Sequence, residues 1–138
     1  MSERDEWNRQ VTEEFHANAG VVGGMFEGMT LLLLHHTGAK SGAERINPLV
    51  YRRDGDHYVI FASKGGAPKD PQWYRNLVAD PNVEIEVGTR TIPVKAVVVT
   101  GPERDELYGR QAEIMPAFAD YERKTERTIP VIALEPVS

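Results

Sequence analysis

The segment that most limits the fold runs from Ile46 to Ser63, where two strand-like runs, Ile46–Arg53 and His57–Ser63, flank the dipeptide Asp54-Gly55. Asp-Gly between such runs supplies the positive backbone angles of a tight turn, so two antiparallel strands are expected here. A second unit of the same kind follows. Val83, Ile85 and Val87 alternate with Glu84 and Glu86, and after a turn at Gly88 the residues Ile92, Val94, Ala96 and Val98 keep the period of two. One face of this hairpin must be wet. The apolar run Met29–His36 reads as a buried strand ending at Thr37-Gly38-Ala39-Lys40-Ser41-Gly42, and Ile129–Leu134 reads as a closing strand.

Helices are predicted between these strands. Glu3–Asn18 carries Trp7, Val11 and Phe15 at intervals of four on an otherwise polar segment, which makes one narrow apolar stripe that leans on the body of the protein. Gly20, Gly23 and Gly24 break the pattern. A middle helix begins at Asp70-Pro71, with aspartate as N-cap and proline at the first helical position, and ends near Asp80-Pro81. Glu103–Met115 is helical, Pro116 interrupts it, and Asp120–Arg127 forms a further short piece. About six strands joined mainly as hairpins, with flanking helices, predict an α+β domain on an antiparallel sheet or small barrel rather than a doubly wound parallel fold. With 138 residues there is one core to build, so residues 1–28 are read as a helix with a glycine-containing lead-in and 29–138 as a single domain.

Composition removes several kinds of chemistry. The chain has no cysteine, which excludes disulfides, thiolate nucleophiles and cysteine-ligated metals. No HExxH, acidic calcium loop or nucleophile elbow is present. His35 and His36 fall on opposite faces of a strand, so the pair cannot share a metal, and both are read as structural. The glycines match neither a dinucleotide fingerprint nor a phosphate loop. Leu31–Leu34 is too short to cross a bilayer, and the first residues lack a secretory pattern, so a cytoplasmic location is expected.

The formal charge of −5 disfavours nucleic acid as a partner, yet its distribution is uneven. Between Thr37 and Arg75, seven basic residues (Lys40, Arg45, Arg52, Arg53, Lys64, Lys69, Arg75) face four acidic ones (Glu44, Asp54, Asp56, Asp70), a local +3 that leaves −8 elsewhere. A basic, glycine-rich middle in an acidic protein attracts a small anion and repels a long polyanion. A solvated loop region is the other reading of the same charges.

Two turns carry the pattern. Thr37–Gly42 with Arg45 combines tight backbone bends, a hydroxyl and two cations, which is what an oxyanion cradle needs, although taken by itself the motif is better read as an ordinary turn with solvated cations. Ala62-Ser63-Lys64-Gly65-Gly66-Ala67 follows a different strand and precedes the middle helix. Two such turns on different strands point to a ligand site on loops held by a scaffold. Trp73 and Tyr74 offer flat surface at the start of that helix, against a packing role. Tyr121 is a candidate proton donor, whereas Asp120 and Glu122 read as helix surface. Without a matched acid and base, an enzyme built from these residues takes its difficult chemistry from an organic cofactor.

In order, LLLLHHTGAKSGAERINPLVYRRDGDHYVIFASKGGAPKDPQWYRNLVADPNVEIEVG and FADYERKTERTIPVIALEP resemble the deazaflavin-dependent nitroreductase family, from Met29 to Pro136. The resemblance implies a split β-barrel related to flavin reductases and a bound coenzyme F420, a deazaflavin with a phosphodiester and oligoglutamate tail. It also implies hydride transfer from reduced F420 to a quinone, a nitro compound or another electron-poor small molecule. By motif, Lys40, Ser41 and Arg45 correspond to the tail site, with Lys64, Gly65 and Gly66 as its second turn. Asn47, Pro48, Leu49, Val50, Ala62 and Ser63 lie by the deazaflavin head, bordered by Trp73, Tyr74 and Asn76. Ser63 orients the head, and Met115, Phe118 and Tyr121 form the acceptor wall, with Tyr121 as donor or gate. An FMN enzyme on the same barrel and a non-catalytic F420 carrier are the alternatives.

Some positions depart from the family pattern. Ala39 replaces a frequent basic residue, Val50 stands where some nitroreducing members have tyrosine, and Met115 and Phe118 sit in a wall that is elsewhere rich in tyrosine. Cofactor binding is therefore expected to be kept more securely than activation of any one nitro compound. The implied assembly is a monomer or homodimer without stable membrane insertion, and a peripheral position at a membrane suits a lipid quinone.

Overall fold

Asp54 pairs with His57 across Gly55-Asp56, and Gly55 takes the left-handed conformation at φ 60° that Asp-Gly turns require. The strands of this first hairpin are β2 (Glu44–Asp54) and β3 (His57–Phe61); the second joins β4 (Asn82–Val87) to β5 (Arg90–Val99). With β1 (Leu31–Thr37) and β6 (Val131–Pro136), they form a closed antiparallel barrel in the order β1-β2-β3-β6-β5-β4, sealed by pairing of β1 with β4. The helices are α1 (Glu3–Ala17), α2 (Gln72–Ala79), α3 (Gly101–Ile114) and α4 (Ala117–Lys124). The computed structural model describes residues 3–18, 20, 31–39, 41–63 and 70–137. The glycine lead-in after Gly20, Met29, Lys40, Lys64, Gly65 and Gly66 lie outside the described residues.

The two styles of strand in the sequence reflect what covers each face. In β1, β3 and β6 both faces are buried, so their apolar runs are continuous. Leu32, Leu34, Tyr58, Ile60, Ile132 and Leu134 point into the barrel, where they meet Ile85, Ile92 and Val94. Each large side chain sealed there contributes about 1.5–3 kcal/mol relative to exposure. On the outside, α1 covers Leu31 and Leu33 with Val11 and Phe15, while α3 and α4 cover Val59, Phe61, Val131 and Ala133 with Leu107, Tyr108 and Phe118. The hairpin β4–β5 keeps its outer face in water, hence the alternating glutamates.

The end of α1 is set by Gly20. Its amide donates to the Phe15 carbonyl at 2.8 Å, its φ is 96°, and a Cβ there would stand 2.8 Å from the Cα of Gly88 in the β4–β5 turn. Only glycine satisfies both the backbone angle and the close approach.

Helix α2 closes one end of the barrel. Trp73 and Leu77 join the interior cluster, so Trp73 is a core residue and only Tyr74 of the aromatic pair reaches the outside. The predicted start of this helix needs correction. Pro71 is the N-cap and no side chain caps the helix, because the Asp70 carboxylate is committed to Arg127 at 2.8 Å. Likewise α4 begins at Ala117, earlier than the predicted Asp120, with Pro116 at its cap. A proline is tolerated at that position because no helical donor is needed there.

Candidate active site

Strand β2 changes partner along its length. Its first part, Glu44–Val50, pairs with β1, and only Tyr51–Asp54 pairs with β3. On the β3 side, Asn47, Pro48, Leu49 and Val50 are therefore left outside that ladder, and Pro48, which has no N–H to offer, suits such an edge. Strand β3 ends at Phe61, so Ala62 and Ser63 leave the sheet facing this opening. The split in the barrel is where the sequence placed the deazaflavin head.

Alternation divides the residues of β2 between two environments. Asn47 and Leu49 face the barrel interior, whereas Val50 lies half-buried with Ile46 in the cluster under α1. The structure thus turns Asn47 inward to His36 and places Val50 on the α1 side; Pro48 is buried. Ala62 is also buried, and its amide donates to the Pro130 carbonyl at 3.0 Å.

The turn between β1 and β2 is built around Gly38. Its amide donates to the Ala43 carbonyl at 2.8 Å, the Gly42 amide returns to the Gly38 carbonyl at 2.9 Å, and the Ala43 amide donates to Ser41 Oγ at 3.2 Å. A Cβ on Gly38 would meet Ser41 Oγ at 2.5 Å and both Arg45 Nε and the Ala43 carbonyl oxygen at 3.6 Å, so a hydroxyl, a guanidinium and one carbonyl line the cradle beside the missing side chain. Arg45 is exposed and makes no ion pair with a described residue. A cation and a hydroxyl around a bare backbone are the donor set a phosphodiester or carboxylate tail requires, and the residues fit an anionic cofactor on that ground.

Beneath this turn lies a buried polar cluster. His36 and Asn76 are 3% and 1% exposed. The Nε2 of His36 lies 2.7 Å from Asn47 Oδ1, and Asn76 Nδ2 lies 3.0 Å from His36 Nδ1. Asn76 Oδ1 accepts from the Ala39 amide at 3.0 Å and from Gln72 Nε2 at 3.2 Å. Burial, with Asn47 acting in the opposite sense and Arg45 and His35 adding repulsion, holds the His36 imidazole below its ordinary range. Sequence reasoning missed His36 as part of the site; its signal was the polar residue on the inward face of an otherwise apolar strand.

Arg127 is the second residue it missed. Its guanidinium donates to the carbonyls of Ala62 at 3.1 Å and Ser63 at 2.8 Å and pairs with Asp70, so it ties the end of β3 to the start of α2. The residue lay within the quoted TERTIP segment without a role.

Of the three residues of the proposed acceptor wall, Phe118 belongs to the core and Met115 and Tyr121 lie at its edge. Phe118 is buried among Phe61, Tyr108 and Tyr121, and the Tyr108 hydroxyl donates to its carbonyl oxygen at 2.6 Å. Burial, with Glu122 second, raises the Tyr108 phenol to about 12, so it stays a donor. Met115 is half-buried, its sulfur accepting from Gln111 at 3.2 Å. Tyr121 is half-buried, with its ring centroid 5.3 Å from that of Phe118 and no hydrogen bond from its hydroxyl to another described residue. Tyr74 lines a separate open groove of about 220 Å³ with Leu77, Val78, Pro81, Ala96, Val98 and Ile132.

The closed six-stranded antiparallel barrel with flanking helices defines the class: a split-barrel protein of the flavin-reductase type. The pattern of the F420H2-dependent quinone reductase family matches residues 7–136, and the chain belongs to that family. An F420H2-dependent quinone reductase of Mycobacterium tuberculosis is 45% identical over 108 residues, covering 75% of this chain and 71% of that protein. The structure of an F420H2-dependent reductase, FDR-A, matches with TM-score 0.69 and 40% identity, covering 76% of this chain and 93% of that one. A chain described as a domain-swapped dimer matches with TM-score 0.72 and 36% identity, covering 96% of this chain and all of that one, 100%. Family membership makes the protein an F420-dependent reductase and coenzyme F420, rather than FMN, its cofactor. The deazaflavin part of the sequence resemblance holds, and the matching family is described as that of the F420H2-dependent quinone reductases. No helix of the described residues is long and apolar enough to cross a membrane.

Proposed function

We propose that this chain reduces a quinone at the split between β2 and the Ala62–Ser63 end of β3, with coenzyme F420 anchored by its tail at the Gly38 turn. The observation that carries the reading is the cradle at Gly38: Ser41 and Arg45, which forms no ion pair with a described residue, line it, at the end of a strand of a barrel belonging to an F420-dependent family. Lys40, Lys64, Gly65 and Gly66 complete the tail site by motif. Ser63 holds the head; Asn47 and Asn76, which the resemblance also assigned there, bond to His36 beneath the Gly38 turn, and Tyr74 lines the separate groove.

Reduced F420 supplies a hydride from carbon 5, and a quinone that takes it up with one proton becomes the hydroquinone. The chain's work is positional. Arg45 and Ser41 bind charge, Ser63 orients the ring, the apolar barrel end excludes water, and Tyr121 delivers a proton at the acceptor side. Met115 and Tyr121 both pack against the cluster that contains Phe118, and the Tyr121 ring meets that of Phe118. Nitro compounds are poorer acceptors here because this wall offers few hydroxyl donors. The family relative described as a domain-swapped dimer supports a homodimer as one working state; a peripheral site at a membrane suits a lipid quinone.

Titration with F420 and FMN, followed by stopped-flow oxidation of the bound reduced F420 by menadione, tests the reading. Tight F420 binding with rapid oxidation is expected. Tight binding without oxidation identifies a carrier, and absence of F420 binding removes the proposal.

A further inference from the structure

His36 is a buried polar group that the reaction does not use. It sits on the inward face of β1 at the closed end of the barrel, between Asn47 of β2 and Asn76 of α2. We infer that His36 is a positioning residue for cofactor binding: its neutral ring fixes the orientation of Asn76, whose oxygen holds the Ala39 amide and with it the anion-binding turn. This rests on the functional reading above and concerns the tail end of the site.

The hydrogen-bond roles follow from the neighbours. Asn76 Oδ1 already accepts from Ala39 and Gln72, which leaves its amino group to face His36 Nδ1. That ring nitrogen must then accept, and Nε2 carries the proton donated to Asn47 Oδ1. A second proton on the ring would set an N–H against the Asn76 amino group. Turning the Asn76 amide over would repair that contact and strip Ala39 and Gln72 of their acceptor. The polar cluster therefore has one satisfied arrangement, with His36 neutral. Among the described residues, the charged or titratable groups around His36 are Arg45 on β2 and His35 on β1, both of which oppose a further positive charge; α2 presents the neutral Asn76 and Gln72.

Because Ala39 lies next to Gly38, loss of its anchor disturbs the cradle of Ser41 and Arg45 and leaves the opening at Ser63 untouched. A residue that only stabilised the barrel would weaken binding of the whole cofactor and of its tail-less head alike. His36→Leu is expected to lower affinity for F420 by about tenfold or more, with the affinity for the tail-less deazaflavin unchanged. His36→Gln can donate to Asn47 and accept from Asn76, so it is expected to bind F420 within about twofold of wild type. In wild type, the ratio of F420 to head affinity is expected to fall as the pH drops below 6.5 and His36 takes up a proton, and in His36→Gln to stay flat. The ratio cancels titration of the deazaflavin itself.

A second readout needs no cofactor. The Ala39 amide resonance is expected to follow the His36 titration in wild type, to stay constant in His36→Gln, and to lose exchange protection in His36→Leu. Equal loss of head and F420 binding in His36→Leu, or undiminished F420 binding by that variant, overturns the inference. So does an Ala39 amide indifferent to His36. Failure of wild type to bind F420 would overturn the functional reading instead, and the Ala39 amide would still decide the bracing.

Discussion

Arg127 Nη2 donates to the Ser63 carbonyl oxygen at 2.8 Å, from a position 64 residues further along the chain. The same guanidinium serves the Ala62 carbonyl and the Asp70 carboxylate, so one side chain fixes the end of β3 and the entry to α2. Replacing it with methionine leaves two carbonyls and a carboxylate without that partner. Arg127→Met is expected to lower stability by about 2 kcal/mol, measured by urea denaturation. Arg127→Lys is expected to recover little, since a single ammonium cannot reach three acceptors in one plane. Full recovery by lysine would mean that charge alone, and not the fork, holds Ser63.

This contact also shows where sequence reading stops. The hairpins were legible because a two-residue period and an Asp-Gly turn are local signals, and Gly55 at φ 60° meets them. Continuous apolar runs in β1, β3 and β6 were legible as buried strands for the same reason. The role of Asp70 was not. A cap and an ion pair use the same carboxylate, and the partner that decides between them, Arg127, becomes a neighbour only through the fold. The opposite facing of His35 and His36 was read correctly from strand geometry, yet the Asn76 that gives His36 its importance arrives from α2. Alternation also sends Val50 away from Asn47, a division that a motif read as one contiguous run conceals.

On the other face of β1, His35 Nε2 lies 2.6 Å from Glu86 Oε2, and His16 of α1 lies 2.9 Å from the other oxygen of that carboxylate. Burial alone would lower the His35 pKa, but Glu86 and Glu44 outweigh it and the net shift is upward from 6.5. For Glu86, burial would raise the pKa, and His35 and His16 outweigh it, giving a net downward shift from 4.5. The histidine's contribution to stability is present below 6.5 and lost as pH rises through its raised value. The carboxylate's contribution is present above 4.5 and lost as pH falls through its lowered value. Glu86→Gln is therefore expected to cost about 1 kcal/mol between those two limits and less on either side. Thermal melts across pH, with the His35 resonance titrating lower in the variant, check it; a pH-independent difference would contradict the linkage.

Gly38→Ala separates folding from binding. The added Cβ would stand 2.5 Å from Ser41 Oγ, the tip of an exposed side chain that can move aside at the expense of its bond from the Ala43 amide. The fold is expected to lose no more than about 1 kcal/mol. The cradle is filled, and F420 affinity is expected to fall about tenfold, as in Arg45→Ala. Calorimetric titration of both variants against wild type measures this, and unaltered affinity in either would move the tail site elsewhere.

Tyr121→Phe tests the acceptor side alone. The ring packs on Phe118 with centroids 5.3 Å apart, a contact phenylalanine keeps, and the hydroxyl makes no hydrogen bond to another described residue. Stability is thus expected to stay within about 0.5 kcal/mol of wild type. The affinity for F420 is expected to stay the same, because the tail grips the distant Gly38 turn. If Tyr121 delivers the proton that accompanies hydride uptake, the single-turnover oxidation of bound F420H2 by menadione slows by about a hundredfold. A proton-transfer role also gives a solvent isotope effect in wild type that shrinks in the variant, where water must substitute. An unchanged rate in a folded variant with normal F420 affinity would leave Tyr121 as packing and shift the proton source to solvent at the split beside Ser63.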